Sequence, residues 1–311
     1  MRFCAAAFFQ LIIDINQMTA RYALYNLTDH HSPGNIAVIT LDNPPVNSMG
    51  MVTREAIGAH LATAIDDSSV VAIVVTGANK VFTGGADIRE FELPLGMQSP
   101  NLHDLIRAFE ASPKPVISAI NAVCMGGGTE ISLGCHYRVA APGVMIGLPE
   151  VKIGLLPGAG GTQRLPRVAG VELALQMIVS GDAVAAEVLA KTKALDRIIE
   201  GDFLTGVLVF AAEIAKRKEL PHVRDMTVDS AGSAPLFAAA RAKARSMSPQ
   251  FPAPLKCIAA IEASTVRDID GGLAYEYKLF NELLATPESA ALRHAFFAER
   301  AARKAAQVNK T

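Results

Sequence analysis

The chain has 311 residues, with 29 Lys and Arg against 30 Asp and Glu, a formal charge of −1, and hydrophobic residues making up 50% of it. That length accommodates one large domain with an extension and a sizeable core. The hydrophobic share excludes a disordered chain, and the charge balance leaves no electrostatic footprint for nucleic acid. Cys4, Cys124, Cys135 and Cys257 show no CxxC spacing, and no histidines pair at ligand spacing. We therefore expect a reduced protein with no metal site and a cytoplasmic location.

In chain order, residues 3–13 are apolar behind Arg2. They are too short to span a bilayer and lack a small-residue cleavage site, so residues 1–17 read as an N-terminal extension and no membrane association is expected. Ile36 to Leu41 reads as a strand, broken by Asn43-Pro44-Pro45. Ile57, Leu61 and Ile65 then recur at helical spacing and predict a helix from Val52 to Asp66. The apolar run from Val70 to Thr76 reads as a buried strand, and so does Val116 to Val123, introduced by Pro113 and Pro115. A short strand is expected from Tyr137 to Ala141, then helices from Val171 to Ser180, Ala185 to Lys191 and Leu204 to Lys218. Pro221 to Pro254 reads as a structured connection with a helix from Leu236 to Met247. Amphipathic helices follow from Leu255, with Leu279, Leu283 and Leu284 at helical spacing and Phe296 and Phe297 beyond.

Chemistry concentrates in three glycine-rich segments. The first, Val81-Phe82-Thr83-Gly84-Gly85-Ala86-Asp87, follows the strand at Val70, and its glycines let backbone N–H groups approach a ligand closely. The second is Gly126-Gly127-Gly128-Thr129-Glu130. The third runs from Leu148-Pro149-Glu150 to Arg167 through Gly158-Ala159-Gly160-Gly161. Each has a plainer reading on its own: a tight turn at Gly84-Gly85, and at Glu130 a first-turn carboxylate favoured by the helix dipole. Together they offer two carboxylates suited to acid and base work on a bound substrate, and two sets of N–H groups that could converge on one oxygen.

The GAGGTQ run has Gln163 where a dinucleotide fingerprint needs its third glycine, and no Gly-Lys-Ser/Thr occurs. Neither NAD nor ATP is supported. Asp87 reads as a turn or helix cap, Cys124 as small core filling, His136 as a structural histidine, and Arg164 and Arg167 as structural cations.

The ordered series FTGGADI, NAVCMGGGTEIS and GLPEVKIGLLPGAGGTQRLPR resembles the enoyl-CoA hydratase (crotonase) superfamily over about residues 20–215. The region after Pro254 resembles the part of multifunctional fatty-acid oxidation enzymes that joins their hydratase half to their dehydrogenase half. The resemblance implies an α/β fold, a stacked ββα spiral with a C-terminal helical extension. Residues 18–220 would be the catalytic core and 221–311 the connecting segment and helical region, a hydratase portion without the dehydrogenase.

It also implies roles. The Ala86 and Gly127 N–H groups would form an oxyanion hole, Glu130 and Glu150 would be the catalytic carboxylates, and Gly158 would position the attacking water. Gly84, Gly85 and Asp87 would form the substrate loop. Which glutamate donates the proton stays open at this point. The implied activity is hydration of trans-2-enoyl-CoA in fatty-acid β-oxidation, with no cofactor because coenzyme A is part of the substrate. The alternatives are Δ3-Δ2-enoyl-CoA isomerisation in the same site and a non-catalytic acyl-CoA-binding subunit. The expected partner is an acyl-CoA thioester, with either a homo-oligomer or association with a separate 3-hydroxyacyl-CoA dehydrogenase.

Overall fold

The computed structural model describes residues 19–26, 34–93, 98–247 and 249–308. The expected N-terminal extension, residues 1–17, lies outside them. An antiparallel pair opens the fold, β1 (Ala20–Asn26) and β2 (Asn35–Leu41). Helix α1 (Met51–Asp66) leads to β3 (Val70–Gly77), β4 (Val81–Thr83) and α2 (Leu102–Glu110). The order strand, strand, helix then returns as β5 (Val116–Ile120), β6 (Val123–Met125) and α3 (Gly127–Gly134). It returns again as β7 (Tyr137–Ala140), β8 (Met145–Gly147) and α4 (Gly161–Ala169). Helix α5 (Val171–Ser180), β9 (Val184–Ala185), α6 (Ala186–Leu189), β10 (Arg197–Ile198) and α7 (Phe203–Ile214) complete this part. Four more helices follow: α8 (Ser233–Met247), α9 (Ala253–Ala263), α10 (Ile269–Leu284) and α11 (Pro287–Val308).

Each turn of this spiral gives one strand to each of two sheets. The six-stranded sheet runs β1-β2-β3-β5-β7-β10 and the four-stranded sheet β4-β6-β8-β9. Successive turns stack in parallel, β3 on β5 on β7 and β4 on β6 on β8. The chain is thus the stacked ββα spiral with a C-terminal helical extension.

The strand of the larger sheet that begins at Val116 is shorter than the sequence predicts. It ends at Ile120, the chain crosses sheets, and β6 begins at Val123. Asn121 fixes the crossing by donating from Nδ2 to the Gly77 carbonyl at 2.6 Å, where the preceding turn makes the same passage from β3 to β4. The helix expected from Ala185 to Lys191 begins one residue later, because Ala185 pairs with β8, and it ends at Leu189. The helix expected from Leu204 to Lys218 stops at Ile214. Strand β1 and helices α2 and α4 have no counterpart in the sequence reading.

The inner strands β2, β3, β5 and β7 of the larger sheet are buried on both faces, which explains their almost unbroken apolar sequences. Alternate residues Ile36, Val38, Ala72, Val74, Ile117 and Val139 pack with Val207, Phe210 and Ile214 of α7. The intervening Ile39, Leu41, Ile73 and Val75 face the main core with Ile57, Leu105 and Phe109. That core is continuous with Cys257, Ile258 and Ile261 of α9 and Leu279, Phe280 and Leu283 of α10. No helix among the described residues is long and apolar enough to cross a membrane.

Candidate active site

Because β4, β6 and β8 are parallel neighbours, their C-terminal ends lie on one edge of the smaller sheet. The three glycine-rich segments all begin there. Gly84 to Asp87 follow β4, Gly126 and Gly127 follow β6, and Pro149 and Glu150 follow β8. Spiral topology, rather than sequence proximity, brings them together. They line one cavity of about 1150 Å³ that includes Gly84, Gly85, Ala86, Asp87, Gly127, Glu130, Glu150 and Gly158. Every site residue expected from the sequence is therefore in one place.

The loop after β4 is fastened from below. Gly84 N–H donates to the Val46 carbonyl at 2.7 Å and Gly85 N–H to Thr83 Oγ1 at 3.0 Å. The Asn47 side-chain amide donates to the carbonyls of Ala78, Val81 and Phe82. Asp87 caps the 3₁₀ turn Ile88–Glu92 by accepting from Arg89 N–H, and it pairs with the Arg89 guanidinium. The Ala86 nitrogen lies 3.1 Å from where a Cβ on Gly127 would sit, so the two backbone segments nearly touch. Gly127 opens α3, and a first-turn N–H has no acceptor within its own helix.

Glu130, one turn into α3, is buried, and its Oε1 accepts from Ala159 N–H at 2.7 Å and Gly161 N–H at 2.9 Å. Burial raises its pKa, and those two amides and Arg164 oppose the rise. Glu150 starts the 3₁₀ turn Glu150–Ile153, and its Oε2 has no hydrogen-bond partner in the protein. Burial and then the charge of Glu130 push its pKa well above the usual carboxylate range. The environments differ in kind. Two fixed dipoles favour charge on Glu130, and nothing comparable serves the free oxygen of Glu150.

Gly126 lies against the Glu150 carboxylate. Its φ is 55°, and a Cβ there would come within 3.0 Å of Glu150 Oε1. Gly158 packs against α10, where a Cβ would meet Phe280 Cδ2 at 2.5 Å. Phe280 in turn meets Phe91 edge-on, with centroids 5.8 Å apart.

Three features of the neighbourhood are not evident in the sequence. His103 on α2 lines the cavity, and burial and the charge of Arg164 lower its pKa. Arg164 forms a buried ion pair with Glu110, Nε to Oε1 at 2.9 Å, and also donates to the Ala159 carbonyl. Glu276 of α10 is fully buried beside the same loop. A sequence signal for Glu276 existed, because it shares a helical stripe with Gly272, Leu279, Phe280 and Leu283.

The remaining candidates are structural. Cys124 is buried with its thiol pushed up to about 12 by burial. His136 accepts from Val116 N–H through Nδ1 at 3.0 Å, and burial lowers it to about 4. Its Nε2 has no partner, so it is only half satisfied. Arg167 donates to the carbonyls of Gln163, Met226 and Arg267.

Comparison with known proteins agrees with this geometry. The peroxisomal bifunctional enzyme of Danio rerio is 39% identical over 272 residues, covering 87% of this chain and 38% of that protein. The human enzyme of the same name is 38% identical, covering 86% of this chain and 37% of its own length. A glyoxysomal fatty acid beta-oxidation multifunctional protein of Brassica napus is 36% identical, covering 86% and 39%. The chain thus spans about two fifths of the length of these curated relatives, 37–39%. Their names place them in peroxisomes or glyoxysomes, which overturns the cytoplasmic location expected from the sequence.

Two solved structures share the fold. One is an enoyl-CoA hydratase/isomerase from Pseudoalteromonas atlantica, with a TM-score of 0.63 at 18% identity, covering 90% of this chain and 97% of that one. The other is an enoyl-CoA hydratase from Mycobacterium avium, with a TM-score of 0.62 at 21% identity, covering 89% and 96%. Residues 31–229 match the enoyl-CoA hydratase/isomerase family. With that match over most of its length and the spiral that family shares, the chain belongs to the enoyl-CoA hydratase/isomerase family.

Proposed function

We propose that the protein hydrates trans-2-enoyl-CoA thioesters, and that Glu130 and Glu150 carry the acid and base chemistry. The observation that carries this is the unequal pair in one cavity: Glu130 buried and gripped by two amides, Glu150 half-buried with a buried, unpartnered oxygen. Around neutral pH this favours an ionised Glu130 and a protonated Glu150. Glu130 then takes a proton from water as its oxygen bonds to C3 of the substrate. Glu150 delivers its proton to C2, and the developing charge on the thioester oxygen is met by the Ala86 and Gly127 N–H groups. One such donor contributes about 3–4 kcal/mol of barrier lowering. Gly158 lies beside the amides that hold Glu130 and would face the attacking water.

The reading needs no cofactor, since coenzyme A arrives with the substrate. Names of the plant relatives support a role in fatty-acid β-oxidation, and those of the animal relatives a peroxisomal setting. We read residues 18–220 as the catalytic core and 221–311 as a connecting and helical region that closes the site. Association with a separate 3-hydroxyacyl-CoA dehydrogenase, or self-association, would deliver the product onward.

An assay that offers crotonyl-CoA and, separately, a 3-enoyl-CoA tests the reading. Conversion of crotonyl-CoA to 3-hydroxybutyryl-CoA is expected. Isomerisation of the 3-enoyl-CoA without hydration would favour the isomerase alternative, and turnover of neither would favour a binding subunit.

A further inference from the structure

We propose that Glu276 of α10 is a positioning residue of the hydration site, clamping the Gly160–Thr162 turn so that its interleaved amides grip Glu130. This rests on the hydratase reading above. The observation is an alternation along four successive N–H groups. Ala159 donates to Glu130, Gly160 to Glu276 at 2.6 Å, Gly161 to Glu130, and Thr162 to Glu276 at 3.0 Å. Thr162 Oγ1 makes a further 2.5 Å hydrogen bond to Glu276 Oε2. The turn at the N-terminus of α4 is thus held between two carboxylates, one facing the cavity and one behind it. Glu276 does not line the cavity and lies in α10, outside the residues 31–229 that match the family. It reaches the site by holding that turn, and its charge also acts on Glu150 through space.

A carboxylate is not needed merely to fill this space. A buried carboxyl group is costly whether neutral or charged, and an apolar side chain would pack α10 onto α4 at less expense. What the site requires is an acceptor for two backbone amides, and only a carboxyl group offers one oxygen to each. The Thr162 contact survives either protonation state, because the hydroxyl can donate to the carboxylate or accept from the acid.

The charged and titratable groups around Glu276 are Glu130 on α3, Glu150 on its 3₁₀ turn, Arg164 on α4 and Cys257 on α9. Arg164 is committed to Glu110, so it does not neutralise Glu276. Burial and the charge of Glu130 push Glu276 up to about 8 against its three donors. It therefore acquires charge on the alkaline side of neutrality, and that charge raises Glu150 further, delaying loss of the proton Glu150 delivers. Removing the ionisable group should leave the acid limb of the pH–rate profile in place and move the alkaline limb to lower pH.

The test is steady-state hydration of crotonyl-CoA against pH by the full chain and by Glu276→Gln. The glutamine sets its NH₂ against one of the two amide donors and displaces the turn, so kcat should fall about 10- to 100-fold. KM should stay within about twofold, since no substrate contact is lost. The alkaline limb should shift as described. Thr162→Val, which removes one donor to Glu276, should lower kcat in the same direction, and Thr162→Ser should restore it. This second pair decides the matter if Glu276→Gln does not fold. Wild-type kcat with an unmoved profile in Glu276→Gln would overturn the inference. So would a fall in kcat with an unmoved alkaline limb, or equal activity in Thr162→Val and Thr162→Ser. An inactive wild type would instead overturn the hydratase reading, and this inference with it.

Discussion

Gly126 shows how closely the backbone is fitted to the chemistry. Its positive φ disfavours any side chain, and a Cβ would press within 3.0 Å of Glu150 Oε1. Gly126→Ala should therefore cost about 1–3 kcal/mol of stability, seen by chemical denaturation, and lower hydration by displacing Glu150. A variant with wild-type stability and turnover would show that the carboxylate has room to move. At this scale the sequence was informative where glycine and carboxylate sit together. Glu130 and Glu150 each announced themselves beside glycines, because close backbone approach to a ligand needs glycine. Glu276 did not, since a glutamate in an amphipathic helix is ordinarily on the solvated face. Only its place in the apolar stripe with Leu279, Phe280 and Leu283 marked it as buried.

Among the elements, α10 links the C-terminal helices to the site. Gly158 lies against Phe280, and Glu276 one turn earlier holds the next residues of the same loop. Phe280→Ala should cost about 3–5 kcal/mol in unfolding free energy and weaken catalysis by loosening the loop behind Gly158. A loss of stability with unchanged kcat/KM would mean the ring serves packing alone. The inner strands of the larger sheet were legible because burial on both faces demands apolar runs, as in Val70 to Val75. The break after Ile120 was not, because β5 and β6 are both apolar and the change of sheet depends on Asn121 reaching Gly77, a contact with a different turn of the spiral. Helix α4 was hidden as well. It opens with Gly161 and carries Pro166 inside, both poor helix signals, and it forms because its N-terminal amides meet Glu130 and Glu276.

For the molecule as a whole, three desolvated carboxyl groups in and behind the cavity set a pH dependence of stability. Glu130, Glu150 and Glu276 all have pKa values raised by burial. A carboxyl raised on folding keeps a proton that the unfolded chain releases at about pH 4.3. Its neutral form is favoured below that pH, and stability is then lost as pH rises to the folded value, about 8 for Glu276. Denaturation free energy should therefore decline between about pH 5 and pH 8, and the decline should be shallower in Glu276→Gln. Equal slopes in the two proteins would show that Glu276 does not titrate in the folded state. The C-terminal helices share the main core with the spiral, so this behaviour belongs to both together. The sequence resemblance made the spiral and its extension foreseeable, but cysteine usage pointed to the cytoplasm where the relatives' names point to peroxisomes or glyoxysomes, because reduced thiols do not distinguish one such compartment from another.

Whether two unequal carboxylates hydrate an enoyl thioester is decided by measuring kcat/KM for crotonyl-CoA in the wild type, Glu130→Gln and Glu150→Gln, with unfolding curves recorded alongside. Each substitution keeps shape while removing the acid or base, so each should reduce kcat/KM by about 10²- to 10⁴-fold with cooperative unfolding retained. Near-wild-type hydration in either folded variant would contradict the paired-carboxylate mechanism.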